Sequence, residues 1–188
     1  IGFHELYVNG EKVGDEILVP NISDLSKRAH YRVYDLSGRL KEGKNALALW
    51  CGPGWGNWSL FSVPQSPLAL VRLEVRAADG SITTIGTDET WKVHPSSTGL
   101  TGSWNVGDFG GERIDAGKYL PGWNLAGFDD SGWENATRYA PDVRISLDFS
   151  EPNRKFDILK PVTIEEATPS GVRVDLGRNF TGWTEIEM

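Results

Sequence analysis

The stretch from Tyr31 to Trp58 constrains the fold most sharply, because two strand-length runs and a glycine–tryptophan loop follow one another with little between them. Tyr31-Arg32-Val33-Tyr34 sets aromatic and β-branched side chains where a half-buried strand wants them. Asp35-Leu36-Ser37-Gly38 breaks that run, and Lys41 to Asn45 turns the chain with charge and one glycine. Ala46-Leu47-Ala48-Leu49-Trp50 is short, apolar and bounded by turn signals, which predicts a buried strand. In Gly52-Pro53-Gly54-Trp55-Gly56-Asn57-Trp58, three glycines let the backbone bend around two indoles. Large aromatics on a loop must pack or bind something, so this loop is the first functional candidate.

The rest of the chain repeats the pattern of short alternating runs between turns. Phe3 to Val8 ends at Asn9-Gly10, the strongest two-residue hairpin signal, with Val13 to Val19 as the expected returning arm. After polar Asn21 to Arg28 and the Pro64-Gln65-Ser66-Pro67 break, Leu68 to Arg76 ends in strict alternation of Val71, Leu73 and Val75 with charged residues. Further strands are expected at Ile82–Ile85, from Trp91, and at Val143–Leu147, Ile158–Ile164, Val172–Leu176 and Trp183–Ile186. Ser96 to Ser103 reads as a long surface connection, and Pro121 to Trp133 as a compact loop with room for one helical turn. The fold class is all-β, most simply an antiparallel two-sheet sandwich of jelly-roll type.

Composition narrows the function. At 188 residues the chain suits one domain with a proper core. Eight tryptophans, 22 glycines and 10 prolines favour many short strands over a helical bundle. The net charge of −7, with no basic run, argues against a nucleic-acid partner; an uncharged ligand such as a sugar fits better. No apolar run approaches the ~20 residues of a membrane helix, so no membrane partner is expected. Cys51 stands alone, which excludes an intramolecular disulfide and suggests a small buried apolar residue. His4, His30 and His94 show no zinc-type spacing. No signal peptide is visible and the chain opens at Ile1, leaving the compartment undetermined: periplasmic, extracellular or cytoplasmic. Sequons at Asn21, Asn57, Asn135 and Asn179 matter only in a eukaryotic secretory setting.

Several motifs in order now support a family resemblance. Glu5-Leu6-Tyr7-Val8-Asn9-Gly10 with Val13-Gly14 resembles the "LYVNG…VG" opening of bacterial α-L-rhamnosidases. Tyr31 to Leu40, Gly43-Lys44-Asn45 and Gly52 to Trp55 resemble their "YDVTDLLKEGEN…LGxGW" segment. Gly111 to Ala116 is similar to "GExYDAR", with Gly117 in place of the usual arginine. Gly122-Trp123, Phe128-Asp129-Asp130-Ser131 and Trp133 resemble "GW…FDDSxW", and Asp175 to Trp183 resembles "DxGQNFxGW".

The resemblance implies a non-catalytic, galactose-binding-like jelly roll over 1–168 and the start of a following β-domain over 169–188, cut at both ends from a longer polypeptide. It implies the catalytic domain of that polypeptide as a partner, a rhamnose-containing glycan as ligand, and calcium in some members. The jelly roll of β-galactosidase-like or β-glucuronidase-like enzymes shares part of the pattern, but "GExxDA" and "DLGxNFxGW" argue against it. A structural spacer without ligand is the remaining alternative.

The candidate carbohydrate contacts are Trp55, Asn57, Trp58, Asp108, Glu112 and Asp115. Indole faces suit the C–H side of a sugar ring, and amide or carboxylate groups suit its hydroxyls. The carboxylates also admit two other chemical readings: an acid/base pair for glycoside hydrolysis, or oxygen ligands for calcium. The competing readings are that Glu112 and Asp115 brace a loop and that the indoles plug the end of the sandwich. Trp104 beside Asn105 carries the same duality, and Asp129-Asp130-Ser131 reads as a turn holding Trp133.

Overall fold

A computed structural model describes residues 1–58, 63, 65–103, 106–108, 110–168 and 171–185. Fifteen strands occur among the described residues. The first five are β1 (Phe3–Val8), β2 (Glu11–Lys12), β3 (Glu16–Ile17), β4 (Arg28–Tyr31) and β5 (Leu47–Gly52). They are followed by β6 (Arg72–Arg76), β7 (Ile82–Gly86), β8 (Lys92–Val93), β9 (Thr98–Thr101) and β10 (Gly111–Ile114). The last are β11 (Glu134–Asn135), β12 (Arg144–Leu147), β13 (Asn153–Arg154), β14 (Thr163–Thr168) and β15 (Gly171–Asp175). The only helical pieces among these residues are 3-10 turns at Gly54–Asn57 and Ala116–Lys118. The all-β expectation therefore holds.

The central sheet is ordered β2–β1–β5. Asn9 at φ 52° and Gly10 at φ 91° form the tight two-residue connection that the Asn-Gly pair predicts. The Asn9 side chain then ties the hairpin to the next strand. Its oxygen accepts from the Ala46 N–H at 2.9 Å, and its amide donates to the Arg39 carbonyl at 3.1 Å and to Asn45 at 2.9 Å. β1 and β5 pair along their full length, with His4 opposite Cys51, Leu6 opposite Leu49 and Val8 opposite Leu47. Alternation puts these six on one face, where Leu6, Val8 and Val13 form a buried cluster packed by Leu47, Leu49, Tyr34, Leu36 and Leu40. Cys51 is half-buried on the same face, and burial pushes its thiol pKa up.

Around this sheet, β3 pairs with β13, β4 with β12, β6 with β7, β8 with β11 and β9 with β10. All are antiparallel except β4–β12, which runs parallel with Arg28 opposite Arg144 and Tyr31 opposite Leu147. That pair departs from the wholly antiparallel expectation. The expected arm Val13–Val19 is split at Gly14, whose φ of +80° leaves the extended region: the Val13 N–H still donates to Leu6 and Val19 bridges His4, but the strand Glu16–Ile17 pairs with β13 instead. The strand expected over Tyr31–Tyr34 lies earlier, at Arg28–Tyr31, because Arg32 turns into an ion-pair network. The connection expected at Ser96–Ser103 contains β9, held by β10. Pro121–Trp133 holds no helical turn; the 3-10 turn lies before it, at Ala116–Lys118.

The chain divides into two compact units, Ile1–Arg154 and Lys155–Met188. In the second, β14 and β15 form a hairpin with Ile164 opposite Val174 and Glu165 opposite Arg173. Within the same unit, Arg178 pairs with Asp157 and the Lys155 ammonium lies 5.3 Å from the Trp183 ring centre. Expectations resting on Pro64, Pro169, Ser170 and Ile186 lie outside the described residues.

Candidate functional site

The glycine–tryptophan loop follows β5 and closes on itself. The Gly56 N–H donates to the Pro53 carbonyl at 3.0 Å and the Trp58 N–H to that of Trp55 at 3.1 Å. Gly54 adopts φ +49°, and a Cβ there would come within 2.9 Å of the Phe3 ring, so the loop is seated directly on the start of β1. Gly56 is buried against Ile1 and Ser66 for the same reason. The Trp55 and Trp58 ring centres lie 5.0 Å apart at 53°, both half-buried, with Asn57 exposed between them. The indoles thus pack against each other. The cavity beneath, bordered by Ile1, Phe3, Asn21, His30 and Trp55, measures about 20 Å³, room for one water and not for a sugar ring.

The acidic residues are strung along the β9–β10 ribbon. Asp108, at its open end, accepts from the Ser103 N–H at 2.9 Å and hydroxyl at 2.8 Å, bonds that hold its carboxyl below the usual range. Glu112 sits in β10 opposite Leu100 and is exposed. Asp115 continues the ladder, its N–H donating to the Ser97 carbonyl at 2.9 Å, and caps the 3-10 turn by accepting from the Gly117 N–H at 3.1 Å. Glu112 and Asp115 are thus about 10 Å apart along the strand and, by the two-residue period, on opposite faces. Two carboxylates so placed cannot flank one glycosidic bond. Among the described residues, no three His, Cys, Asp or Glu side chains are gathered to hold a metal ion.

The Asp129 turn is bracing, as its sequence suggests: its carboxylate accepts from the Ser131 N–H at 3.1 Å. The Trp133 ring sits 5.6 Å from Phe128 and 5.2 Å from His94. Trp104 and Asn105 lie outside the described residues.

A buried polar chain escaped the sequence reading. Asp148, with a fully buried carboxylate, accepts from the N–H groups of Asn21 at 2.9 Å and Ser150 at 3.0 Å. The Asn21 side-chain amide adds a bond at 3.3 Å, and the Arg32 guanidinium lies 3.8 Å away. Burial alone would raise the Asp148 pKa, but the backbone donors outweigh it and hold the carboxyl below its usual range. Arg32 also pairs with Glu16. Nearby, His4 Nε2 and the Tyr34 hydroxyl share a hydrogen bond of 3.0 Å. Burial lowers the His4 pKa and raises that of Tyr34 to about 12. This chain welds β1, β3, β4 and the end of β12 together.

The other assembly missed from sequence is on the outer face of the central sheet. Glu5 lies opposite Trp50 and Tyr7 opposite Lys12. The Tyr7 hydroxyl donates to Glu5 at 2.6 Å and the Lys12 ammonium donates to Glu5 at 2.5 Å. Trp123, from the loop after the second 3-10 turn, meets Tyr7 at 5.5 Å and Trp50 at 6.2 Å, edge-on to both. The signal was present in the alternation of Phe3, Glu5 and Tyr7 with core residues, but a short apolar run does not reveal that Trp50 faces outward.

Comparison with known proteins follows this geometry. Residues 1–157 match the family model described as the alpha-L-rhamnosidase N-terminal domain. An alpha-L-rhamnosidase of Formosa agariphila is 33% identical across the whole chain, which spans 20% of that protein. The structure of the alpha-L-rhamnosidase from Dictyoglumus thermophilum superposes with a TM-score of 0.85 at 34% identity, covering 97% of this chain and 20% of the other. That of the Streptomyces avermitilis alpha-L-rhamnosidase complexed with L-rhamnose gives 0.80 at 31% identity, covering 95% and 18%. The chain therefore spans about a fifth of the length of the relatives it matches. On these matches, and on the all-β architecture that accompanies them, the chain belongs to the alpha-L-rhamnosidase N-terminal domain family.

Proposed function

We propose that this chain is a non-catalytic accessory module of an α-L-rhamnosidase-type glycoside hydrolase, supporting the catalytic domain of the same polypeptide and contacting rhamnose-containing glycans. The observation that carries the reading is the family match over residues 1–157, combined with carboxylates spread along one ribbon. In this reading Asp108 and Asp115 hold the β9–β10 ribbon in shape. Glu112, Trp55, Asn57 and Trp58 are the exposed or half-exposed groups offered to a glycan. Residues 169–188 begin the next β-domain of the parent. Calorimetric titration of the chain with L-rhamnose tests the binding arm, and saturable heat supports it. Turnover of a rhamnoside by the chain alone would overturn the non-catalytic assignment.

A second reading, a spacer without ligand, is favoured by the amount of apolar surface. In the β14–β15 hairpin, Val162, Ile164, Val172 and Val174 are all exposed on one face. Such a two-stranded ribbon needs a partner to cover it. Absence of heat at millimolar sugar puts this reading first.

A further inference from the structure

The sheet face opposite the core presents an aromatic corner with a polar rim that no sequence motif predicts. β1 and β5 direct Glu5, Tyr7 and Trp50 away from the buried cluster, because their neighbours Leu6, Val8, Leu47 and Leu49 point into it. The loop carrying Trp123 is pinned over this face through Leu125. A Cβ on Gly10 would come within 2.5 Å of the Leu125 side chain, so the absence of one is what lets the loop descend. Trp123 stands nearly perpendicular to both neighbours, at 71° to Tyr7 and 89° to Trp50. In such edge-to-face packing the rim of one ring meets the face of another, and Trp50 still remains 38% exposed. The contrast is with Trp55 and Trp58, whose tilted rings lie against each other above a cavity the size of one water.

We propose that this corner, formed by Trp50, Trp123 and Tyr7 and rimmed by Glu5 and Lys12, is a binding platform for an uncharged pyranose ring. The proposal rests on the carbohydrate reading above and deepens it by naming a different site. A pyranose has one C–H-rich face, which a partly exposed indole covers, and a belt of hydroxyls that both donate and accept. The rim answers both roles: the Glu5 carboxylate accepts, and the Lys12 ammonium has three N–H groups of which one is directed at Glu5. Their side chains are 38% and 30% exposed, so they reach solvent while staying fixed. The pair carries no net charge, so discrimination against carboxylate- or phosphate-bearing ligands falls to the net charge of −7 on the whole chain, which favours a neutral sugar. Tyr7 donates to Glu5, and burial, followed by that bond, keeps its hydroxyl protonated far above neutral pH; the carboxylate is thereby held in place.

The test is saturation-transfer NMR on the full chain with L-rhamnose and, in parallel, with glucuronate. The variants are Trp50→Ala, Lys12→Met and Trp55→Ala, each first checked for a wild-type urea midpoint. Lys12→Met keeps the sheet intact, so misfolding of Trp50→Ala would not leave the question open. The expected result is transfer to the ring C–H protons of L-rhamnose and none to glucuronate. Affinity should fall about tenfold in Trp50→Ala and Lys12→Met, as loss of an aromatic face or a charged hydrogen bond implies. Wild-type affinity in both of those variants, with loss in Trp55→Ala, overturns the platform and leaves the carbohydrate reading standing. No transfer in the wild-type chain overturns the carbohydrate reading, and the platform with it.

Discussion

Replacing Asp148 by alanine tests the idea that a buried polar chain, more than the small apolar cluster, fastens the end of β12 to the segments carrying Asn21 and Arg32. The carboxylate has no exposed surface and satisfies three N–H donors: the Asn21 backbone, the Asn21 side chain and the Ser150 backbone. Truncation leaves each without its acceptor, at about 1 kcal/mol per buried donor at the low end of the range. Arg32 keeps Glu16 as a partner, so the full cost of an orphaned buried cation is not added. The expected loss is about 3 kcal/mol, which at a urea dependence of ~2 kcal/mol per molar moves the unfolding midpoint down by about 1.5 M. Asp148→Asn keeps one acceptor and the shape, and should lose about half as much. The folded carboxyl titrates below its unfolded value, so its contribution is complete above about pH 4 and is lost as the pH falls through the folded value. The gap between wild type and Asp148→Asn should therefore narrow on acidification. Urea titrations followed by tryptophan fluorescence at pH 7 and pH 3.5 measure both effects. An Asp148→Ala midpoint within 0.2 M or so of wild type would refute the reasoning.

Three further outcomes follow from the same coordinates. Because burial lowers the His4 pKa, its neutral form belongs to the folded state, and stability should decline as the pH drops below about 6.5; His4→Gln should flatten urea midpoints measured between pH 5 and 7. Gly10→Ala forces a Cβ onto φ +91° and into Leu125, and should cost about 2 kcal/mol in urea unfolding, roughly half of it recovered in a Leu125→Ala background. Asn9→Ala removes three hydrogen bonds joining the first hairpin to the segment before β5, and a loss of about 2–3 kcal/mol is expected by the same assay.

What could be read from sequence was whatever local chemistry decides. β1 falls at Phe3–Val8 as expected, because Asn9-Gly10 accepts the positive φ angles that a two-residue turn demands. The strand expected from Tyr31 ends there instead, since the pull on Arg32 comes from Glu16 and from Asp148, remote in sequence. β9 hides inside a polar stretch because what makes Thr98–Thr101 a strand is its partner Gly111–Ile114, not its own composition. The acidic residues were proposed as a group on closeness in sequence, a measure that a strand defeats: neighbours three apart diverge to opposite faces. For Trp50 the apolar run Ala46–Trp50 gives no hint of which face is core, and half of it turns outward.

That last point makes the β1–β5 register the decisive feature of the module. One pairing scheme sets both faces at once: Leu6 against Leu49 inside, Glu5 against Trp50 outside. A slip of one residue would exchange every side chain between them, sending Trp50 toward Val13 and Leu49 to solvent. The strands themselves resist this only weakly, since Leu47-Ala48-Leu49-Trp50 is apolar on both faces. The specification comes from the ends. At one end Asn9 holds the Ala46 N–H. At the other, the loop backbone at Gly54 sits on Phe3, while the Ile1 amino group donates to the Leu68 carbonyl. The glycine–tryptophan loop, read from sequence as a ligand contact, thus also acts as a register clamp: its two compact glycines fix where β5 stops, and thereby which way Trp50 faces.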